Sequence, residues 1–273
     1  MKTRHISILS ALLLLGNIAV TAQSREYKVF QFPADQLPVI DGKGNDWEHV
    51  PESYVITLHD MREDEGKHVC ADSATLAIRV KVGWSKADNR LWFLYEATDN
   101  YWRFSADDLR TDMFEVVVDA DRSGGPFIDR FHPDAKADVW QKWFNFHGRH
   151  AQNYHIFTPP HANDWCMLWG PQVWLKQPPY AGYAYDYQFG EGEGGKLTLE
   201  FFITPYDDAL ANGPEHSIPS KLIENRLIGL CWAVIDYDAD ATNKDGFWNL
   251  STEHTMYGNA DFLLPFRLMP LEK

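Results

Sequence analysis

Alternation of apolar and polar positions dominates this chain. In "ATLAIRVKVGW" (residues 74–84) Ile78, Val80 and Val82 fall on one side and Arg79 and Lys81 on the other. That period of two is the signature of a strand with one face in a core. "RLWFLYEATD" follows the turn "SKADN" and reads as the hairpin partner of the first strand. "MFEVVVDAD" puts Phe114, Val116 and Val118 on one face and Glu115, Val117 and Asp119 on the other. "YAYDYQF" and "KLTLEFFI" flank the turn-rich "GEGEGG" as a second hairpin, "LIGLCWAVIDYD" reads as a long central strand, and "NADFLLPFRL" supplies the last one. Long helical periodicity is absent, and the helix-like stretches are the short "ADDLR", "PYDDAL" and "SKLIENR". At least eight strands separated by turn residues predict an all-β fold, an antiparallel β-sandwich. Residues 122–187, where alternation breaks, form its long irregular loops.

Residues 6–20, "ISILSALLLLGNIAV", follow the basic residues Lys2 and Arg4. The run has the length of a secretory signal segment, with small residues placing cleavage near Ala22. It falls short of the ~20 apolar residues a membrane helix needs, and no later segment reads as a membrane span. The expectation is an exported protein (periplasmic, cell-surface or secreted), residues 1–22 being its signal peptide. Residues 23–273 read as a single domain, because no linker rich in Pro, Gly or Ser and no repeat divides them. The formal charge is −14 and grows more negative once Lys2 and Arg4 leave. That balance argues against nucleic acid, whose phosphates attract stripes of Lys and Arg. Of the cysteines, Cys231 sits in the apolar "LIGLCWAV" and reads as a packed hydrophobe. Cys70 and Cys166 are left as a pair that an oxidising compartment would allow to join. No C-x-x-C spacing points to a thiolate zinc site.

One stretch stands apart. "WQKWFNFHGRHAQNYHIF" (140–157) gathers two tryptophans, three phenylalanines, a tyrosine and three histidines, and Trp165, Trp169 and Trp174 follow. Three uses compete for so many rings: a platform for a sugar, a pocket for a metal or haem, or a tryptophan-rich core.

Several segments together resemble the family 9 carbohydrate-binding module, within the wider group of DOMON-like β-sandwiches. They are the entry turn "VIDGKGNDWEHV", the paired "LWFLYEATDN" and "RTDMFEVVVDAD", then "LTLEFFITPYDDA", "NRLIGLCWAVIDYDAD", "FWNL" and "YGNADFLL". The order and spacing of these segments carry the resemblance over nearly all of the chain after the leader. Residues 126–150 and 158–180 are longer than in compact members. The resemblance implies a jelly-roll-like sandwich that binds sugars or glycan ends on one concave face, often with structural calcium. Relatives of the same fold bind haem, so fold does not settle ligand.

The resemblance places Glu115 at an acidic position of the sugar site, where a carboxylate accepts from two neighbouring hydroxyls. It equally allows a structural carboxylate bonded to a loop. The chain departs from the family at Leu109, where sugar binders carry a tryptophan, and "STEHTMYGN" offers His254 and Tyr257 where a second is expected. A sugar site here therefore draws on other rings. The candidate carbohydrate-binding residues are Trp102, Glu115, Trp143, Arg149, Gln152 and Tyr154, the last two from the strand "HAQNYHIF" that in family order touches ligand. Trp47 in the entry turn reads as a packing plug.

The acidic turns "DADRSGG" and "DYDADATNKDG" raise a calcium reading, since alternating aspartates gather hard oxygen ligands. Asp238 and Asp240, with backbone carbonyls, are the candidate ligands of a structural calcium, and a solvated acidic turn is the favoured reading of the same residues. An EF-hand is excluded, because Ala241 and Phe247 stand where that loop needs a glycine and a carboxylate. His147, His150, His155 and His161 leave haem or a histidine metal site as an alternative, which the lack of C-x-x-C-H disfavours. Glycoside hydrolysis wants two carboxylates across a cleft, and Glu96, Glu115 and Glu200 are available on strands. No other catalytic motif is present. The leading expectation is an exported, non-catalytic protein that binds oligo- or polysaccharide on a concave sheet face. It would support glycan breakdown beside glycan-degrading partner proteins. A haem- or metal-binding DOMON-like protein and a glycoside hydrolase component are the alternatives.

Overall fold

The computed structural model describes residues 25–68, 71–72, 74–105, 108–161, 164–240 and 245–272, with His161 described in its backbone alone. The signal segment expected at 1–22 and Cys70 lie outside these residues. The strands are β1 (Tyr27–Gln31), β2 (Ile56–Thr57), β3 (Arg62–Glu63), β4 (Leu76–Ser85), β5 (Arg90–Asp99), β6 (Met113–Asp119), β7 (Gln152–His161), β8 (Asp164–Leu168), β9 (Ala181–Tyr187), β10 (Gly195–Ile203), β11 (Tyr206–Asp208), β12 (Ile218–Pro219), β13 (Leu227–Asp236), β14 (Gly246–Asn249) and β15 (Leu264–Leu268).

Two layers result. The first sheet runs β8-β7-β6-β13-β15, and the second runs β4-β5-β10-β9. β1 sews them together, pairing in parallel with β15 through Tyr27–Val29 and in parallel with β4 through Phe30 and Gln31. Elsewhere the ladders are antiparallel, as expected, and the sandwich is nearly closed. β13 changes partner halfway along, from β15 to β14, and β14 carries the two-residue β3 on its far side.

The alternation read from the sequence has its cause in the space between these layers. Phe114, Val116 and Val118 of β6 and Leu230, Trp232 and Val234 of β13 face Val80, Val82, Phe93, Tyr95, Leu199 and Phe201 of the other sheet, all buried. Tyr95 stacks on Phe114 across the layers at 4.4 Å between centroids, and Phe93 lies flat on Phe201 at 4.6 Å and 2°. Cys231 is buried as expected, and Cys166 is a free, buried thiol.

A second cluster lies on the outer face of the second sheet, where the entry turn folds over Trp92 and Leu94. Trp47 plugs it, fully buried, and its indole N–H donates to Glu200 Oε1 at 3.0 Å. Glu200 Oε2 accepts the backbone N–H of Gly42 at 2.7 Å. Gly42 has φ +81°, and a Cβ there would lie 2.7 Å from the Tyr185 carbonyl carbon, so the turn requires glycine.

Helices differ from expectation. Asp108–Arg110, the described part of "ADDLR", and residues 220–226 are irregular. "PYDDAL" contributes β11, because Tyr206 anchors against Trp174 (4.9 Å) instead of turning a helical face inward. The α-helix among the described residues is α1 (Val139–Asn145), inside the aromatic stretch. Asp138 caps it, its carboxylate accepting the N–H groups of Trp140 and Gln141. Among the described residues no helix is long and apolar enough to cross a membrane.

Candidate ligand-binding face

With the entry turn packed on the second sheet, the outer face of the first sheet is the surface on which chemistry collects. Register decides what stands there. Glu115 of β6 is opposite His155 of β7 on one side and Ala233 of β13 on the other, and the row continues through Met167 of β8, Asn249 of β14 and Arg62 of β3. Residues directly opposite in an antiparallel ladder point to the same face. A polar row thus crosses a face whose neighbouring row is Phe157, Met113, Ile235 and Phe247. Ala233, with its small side chain, sits beside Glu115 in that row.

The carboxylate of Glu115 is 2% exposed. It accepts from Asn153 Nδ2 at 2.8 Å and meets His155 Nε2 at 2.9 Å. Burial pushes Glu115 up, but the charge and hydrogen bond of His155, the Asn153 amide and the charge of His254 outweigh it and hold the group below its ordinary value. Asn153 Nδ2 also donates to the Tyr257 carbonyl at 3.0 Å. Two polar atoms of this group are buried without a partner, His155 Nδ1 and Asn153 Oδ1. The half-buried ring of Trp169 lies against His155 at 5.0 Å.

A second acid–histidine pair flanks the first. Asp64, whose side chain is fully buried, accepts from Asn249 Nδ2 at 2.9 Å and meets His254 Nδ1 at 3.1 Å. His254 packs on Phe247 at 4.8 Å and next to Tyr257 at 5.7 Å. Arg130 closes that side, its guanidinium 4.8 Å from the Phe131 ring and 5.4 Å from the Tyr257 ring. The face therefore carries two anchored carboxylates, two histidines and a rim of aromatic rings.

No family model and no curated protein matches the sequence. Solved structures do match in three dimensions. A family 9 carbohydrate-binding module from Caldicellulosiruptor kristjanssonii, in complex with glucose, superposes with a TM-score of 0.55 over 91% of this chain and 97% of that one, at 12% identity. The same kind of module from that organism, in complex with cellotriose, gives 0.53 over 91% and 96%, also at 12% identity. The chain has the family 9 module fold.

Within this family 9-type fold the expected site residues are spread over several places. Glu115 is at the centre of the face. Gln152 and Tyr154 are on β7 but point into the sandwich, opposite Val118 and Val116. Gln152 Nε2 donates to the Tyr206 carbonyl at 3.0 Å, and the Tyr154 hydroxyl is buried without a partner. Trp102 is buried too, stacked on Phe189 at 5.0 Å and donating to the Gly195 carbonyl at 2.9 Å. Arg149 forks onto Asp208, with Nε to Oδ1 at 2.7 Å. Trp143 is half-buried on α1, with its ring edge-on to His147 at 4.5 Å. His147 pairs with Asp129 at 3.2 Å and His155 with Glu115 at 2.9 Å, whereas His150 Nε2 is buried without a partner and the side chain of His161 lies outside the described residues, so His147 and His155 are engaged separately. Leu109, in the place of the family's tryptophan, is exposed.

None of Asn153, His155, Trp169, Asp64 and His254 was among the six expected carbohydrate-binding residues, although His155 was a candidate metal or haem ligand and His254 stood where the family's second tryptophan is expected. Alternation along β7 already puts Asn153 and His155 together, but only the cross-strand register sets them beside Glu115. Asp64 follows a two-residue strand in a segment without alternation, and no sequence signal marks it.

The acidic residues also divide. Asp99, Asp236 and Asp238 each present an oxygen within 4.8 Å of the others, whereas Asp240 is not part of that group. Oδ1 of Asp236 and Oδ1 of Asp238 have no hydrogen-bond partner, so the donor set fits a hard cation such as calcium.

Proposed function

We propose that this protein binds oligo- or polysaccharide on the outer face of its first sheet, with the sugar seated at Glu115, Asn153 and His155 beside Trp169. The observation that carries the reading is the pair of unmatched buried atoms, His155 Nδ1 and Asn153 Oδ1, next to an anchored carboxylate and a half-exposed indole. Buried polar atoms without partners are uncommon, and they mark hydrogen-bonding capacity that the protein itself leaves unused. A sugar ring needs that combination, because its C–H face stacks on an aromatic plane while its hydroxyl edge pairs with donors and acceptors. The glucose and cellotriose held by the similar family 9 structures support the same ligand class. The role that follows is non-catalytic capture of glycan outside the cytoplasm for a partner that degrades it.

The test is a titration of soluble oligosaccharides followed by tryptophan fluorescence and calorimetry. A Kd between about 1 mM and 1 μM is expected, or about −4 to −8 kcal/mol. Trp169→Ala and His155→Ala should each weaken binding at least about tenfold, or ~1.4 kcal/mol. A folded protein that binds nothing on a broad glycan panel refutes the reading, as does unchanged affinity in both variants. A Soret band on the purified protein would replace it with haem binding.

A further inference from the structure

We propose that Arg130 makes the ligand face selective for acidic glycans, its guanidinium receiving the carboxylate of a uronic acid in a chain whose hydroxyls are seated at Glu115, Asn153 and His155. The proposal rests on the sugar reading above and narrows its ligand class.

Arg130 lies in the helical turn Asp129–Phe131, inside the stretch 126–150 that is longer than in compact members of the family. That stretch is pinned to the segment carrying Tyr257. Phe127 N–H donates to the Gly258 carbonyl at 2.9 Å, Ala260 N–H donates to the Gly125 carbonyl at 2.8 Å, and Pro126 bridges to Asn259. Gly258 lets the two segments touch, since a Cβ there would lie 2.5 Å from Ile128 and 2.8 Å from Phe131. Packed backbone thus delivers Arg130 to the edge of the face, where its side chain is exposed.

The guanidinium is held by rings rather than by an acid. Nη2 donates to the Tyr257 hydroxyl oxygen, and the group lies 4.8 Å from the Phe131 centroid and 5.4 Å from that of Tyr257. Such contacts orient the planar fork while leaving its other N–H groups for a further acceptor. The Tyr257 oxygen accepts from Arg130, so its own proton points elsewhere and is a second donor at the same corner. Tyr257 also links this corner to the sugar seat. Its carbonyl accepts from Asn153 Nδ2 at 3.0 Å, and its ring lies 5.7 Å from His254.

Charge bookkeeping leaves Arg130 over. Glu115 is matched by His155, Asp129 by His147 at 3.2 Å, and Asp64 by Arg62 at 2.9 Å and by His254. The chain holds 39 acidic against 25 basic residues, and arginines elsewhere are taken up by carboxylates, Arg149 by Asp208, Arg267 by Glu26 and Arg79 by Glu52. Arg130 has no carboxylate partner among the described residues. A guanidinium pairs with a carboxylate through two parallel hydrogen bonds, which a neutral sugar hydroxyl does not reproduce. A uronic acid brings that carboxylate together with the ring hydroxyls that suit the rest of the face.

The experiment is calorimetric titration of the full chain with two matched pairs in about 0.05 M salt, trigalacturonic acid against its methyl ester, and cellotriose oxidised to the acid at C6 against cellotriose. In at least one pair the acidic member should bind at least about tenfold tighter, or ~1.4 kcal/mol. Salt at about 1 M, with a screening length of ~3 Å, should cut the preference to about twofold or less, because Arg130 is exposed. Arg130→Ala should bring the ratio to about one, and Arg130→Lys, which keeps the charge without the fork, should leave a reduced preference. Thermal unfolding checks that each variant is folded, and Arg130→Gln, which keeps a donor for Tyr257, serves if alanine is not. Trp169→Ala should weaken both members of a pair alike. The proposal is overturned if neither acidic member binds, if acidic and neutral members bind equally in both pairs, or if Arg130→Ala keeps the preference. Neutral glycans that still bind in a Trp169-dependent way would then leave the sugar reading standing, whereas a folded protein that binds no glycan at all removes both.

Discussion

Replacing His155 with alanine tests the reasoning about the ligand face through stability, without a ligand. The substitution leaves the Glu115 carboxylate, 2% exposed, with the Asn153 amide as its one remaining side-chain hydrogen bond. Stranding a buried charge by removing its partner costs about 3–5 kcal/mol. The Asn153 bond survives and the His155 side chain keeps 11% exposure, so the lower end applies, about 3 kcal/mol. For a chain of this size that is a fall in Tm of roughly 6–12 °C. Adding Glu115→Gln removes the stranded charge and should recover about 1–2 kcal/mol, a coupling a double-mutant cycle reads directly from urea unfolding. The pH dependence has a definite sign. Glu115 sits below its ordinary 4.5 in the folded protein, so the pair's contribution is present above about pH 4.5 and is lost as pH falls through the lowered value. In His155→Ala the largest causes of that lowering are gone, with the Asn153 bond and the His254 charge remaining, and the variant's penalty should shrink on acidification from pH 7 to 4. Effects that add within about 0.5 kcal/mol, or a penalty constant over that range, would refute the pairing.

Gly42→Ala should cost more than the ~1 kcal/mol of an ordinary glycine replacement, because φ is +81° and the new Cβ meets backbone at 2.7 Å; chemical denaturation checks it. Trp47→Phe keeps the plug but strips Glu200 of one of its donors, a loss of about 1–3 kcal/mol by the same assay. Tyr154→Phe removes a buried hydroxyl that has no partner, so calorimetry should find the variant equal to the parent or up to about 1 kcal/mol more stable, with sugar affinity unchanged.

The hairpins of the second sheet were legible because their information is local. In β4 the buried Leu76, Ile78, Val80 and Val82 alternate with Ala77, Arg79 and Lys81, and the turn to β5 is short, so sequence alone sets the pairing. The helix α1 was not legible, since Trp140 and Phe144 are four residues apart but exposed, at 66% and 45%, and the segment's apolar residues outline no buried face. Its start rests on one capping side chain, Asp138. The calcium candidates show a third case. Asp238 belongs to a visible run of aspartates, yet its neighbours Asp99 and Asp236 close the ends of strands in opposite layers. Nothing in a strand's own sequence tells which layer it will join.

The ligand face turns on a single residue of register. The resemblance implies that β7 is the strand that touches ligand, and alternation gives two choices, Gln152 with Tyr154 or Asn153 with His155. Inward placement of Tyr154 follows from its size and from Ile156 two residues on, both buried against the core. That puts Asn153 and His155 outward, and the β6–β7 ladder then sets His155 opposite Glu115 across forty positions of sequence. A shift by one residue would bring Tyr154 to Glu115 and bury an imidazole in the apolar interior, so the core's demand for rings is what assembles the polar pair on the opposite face. The tryptophan-rich stretch accordingly answers to both needs. Most of its rings fill space, and what remains half-exposed beside His155 is Trp169, 5.0 Å from the imidazole that meets Glu115.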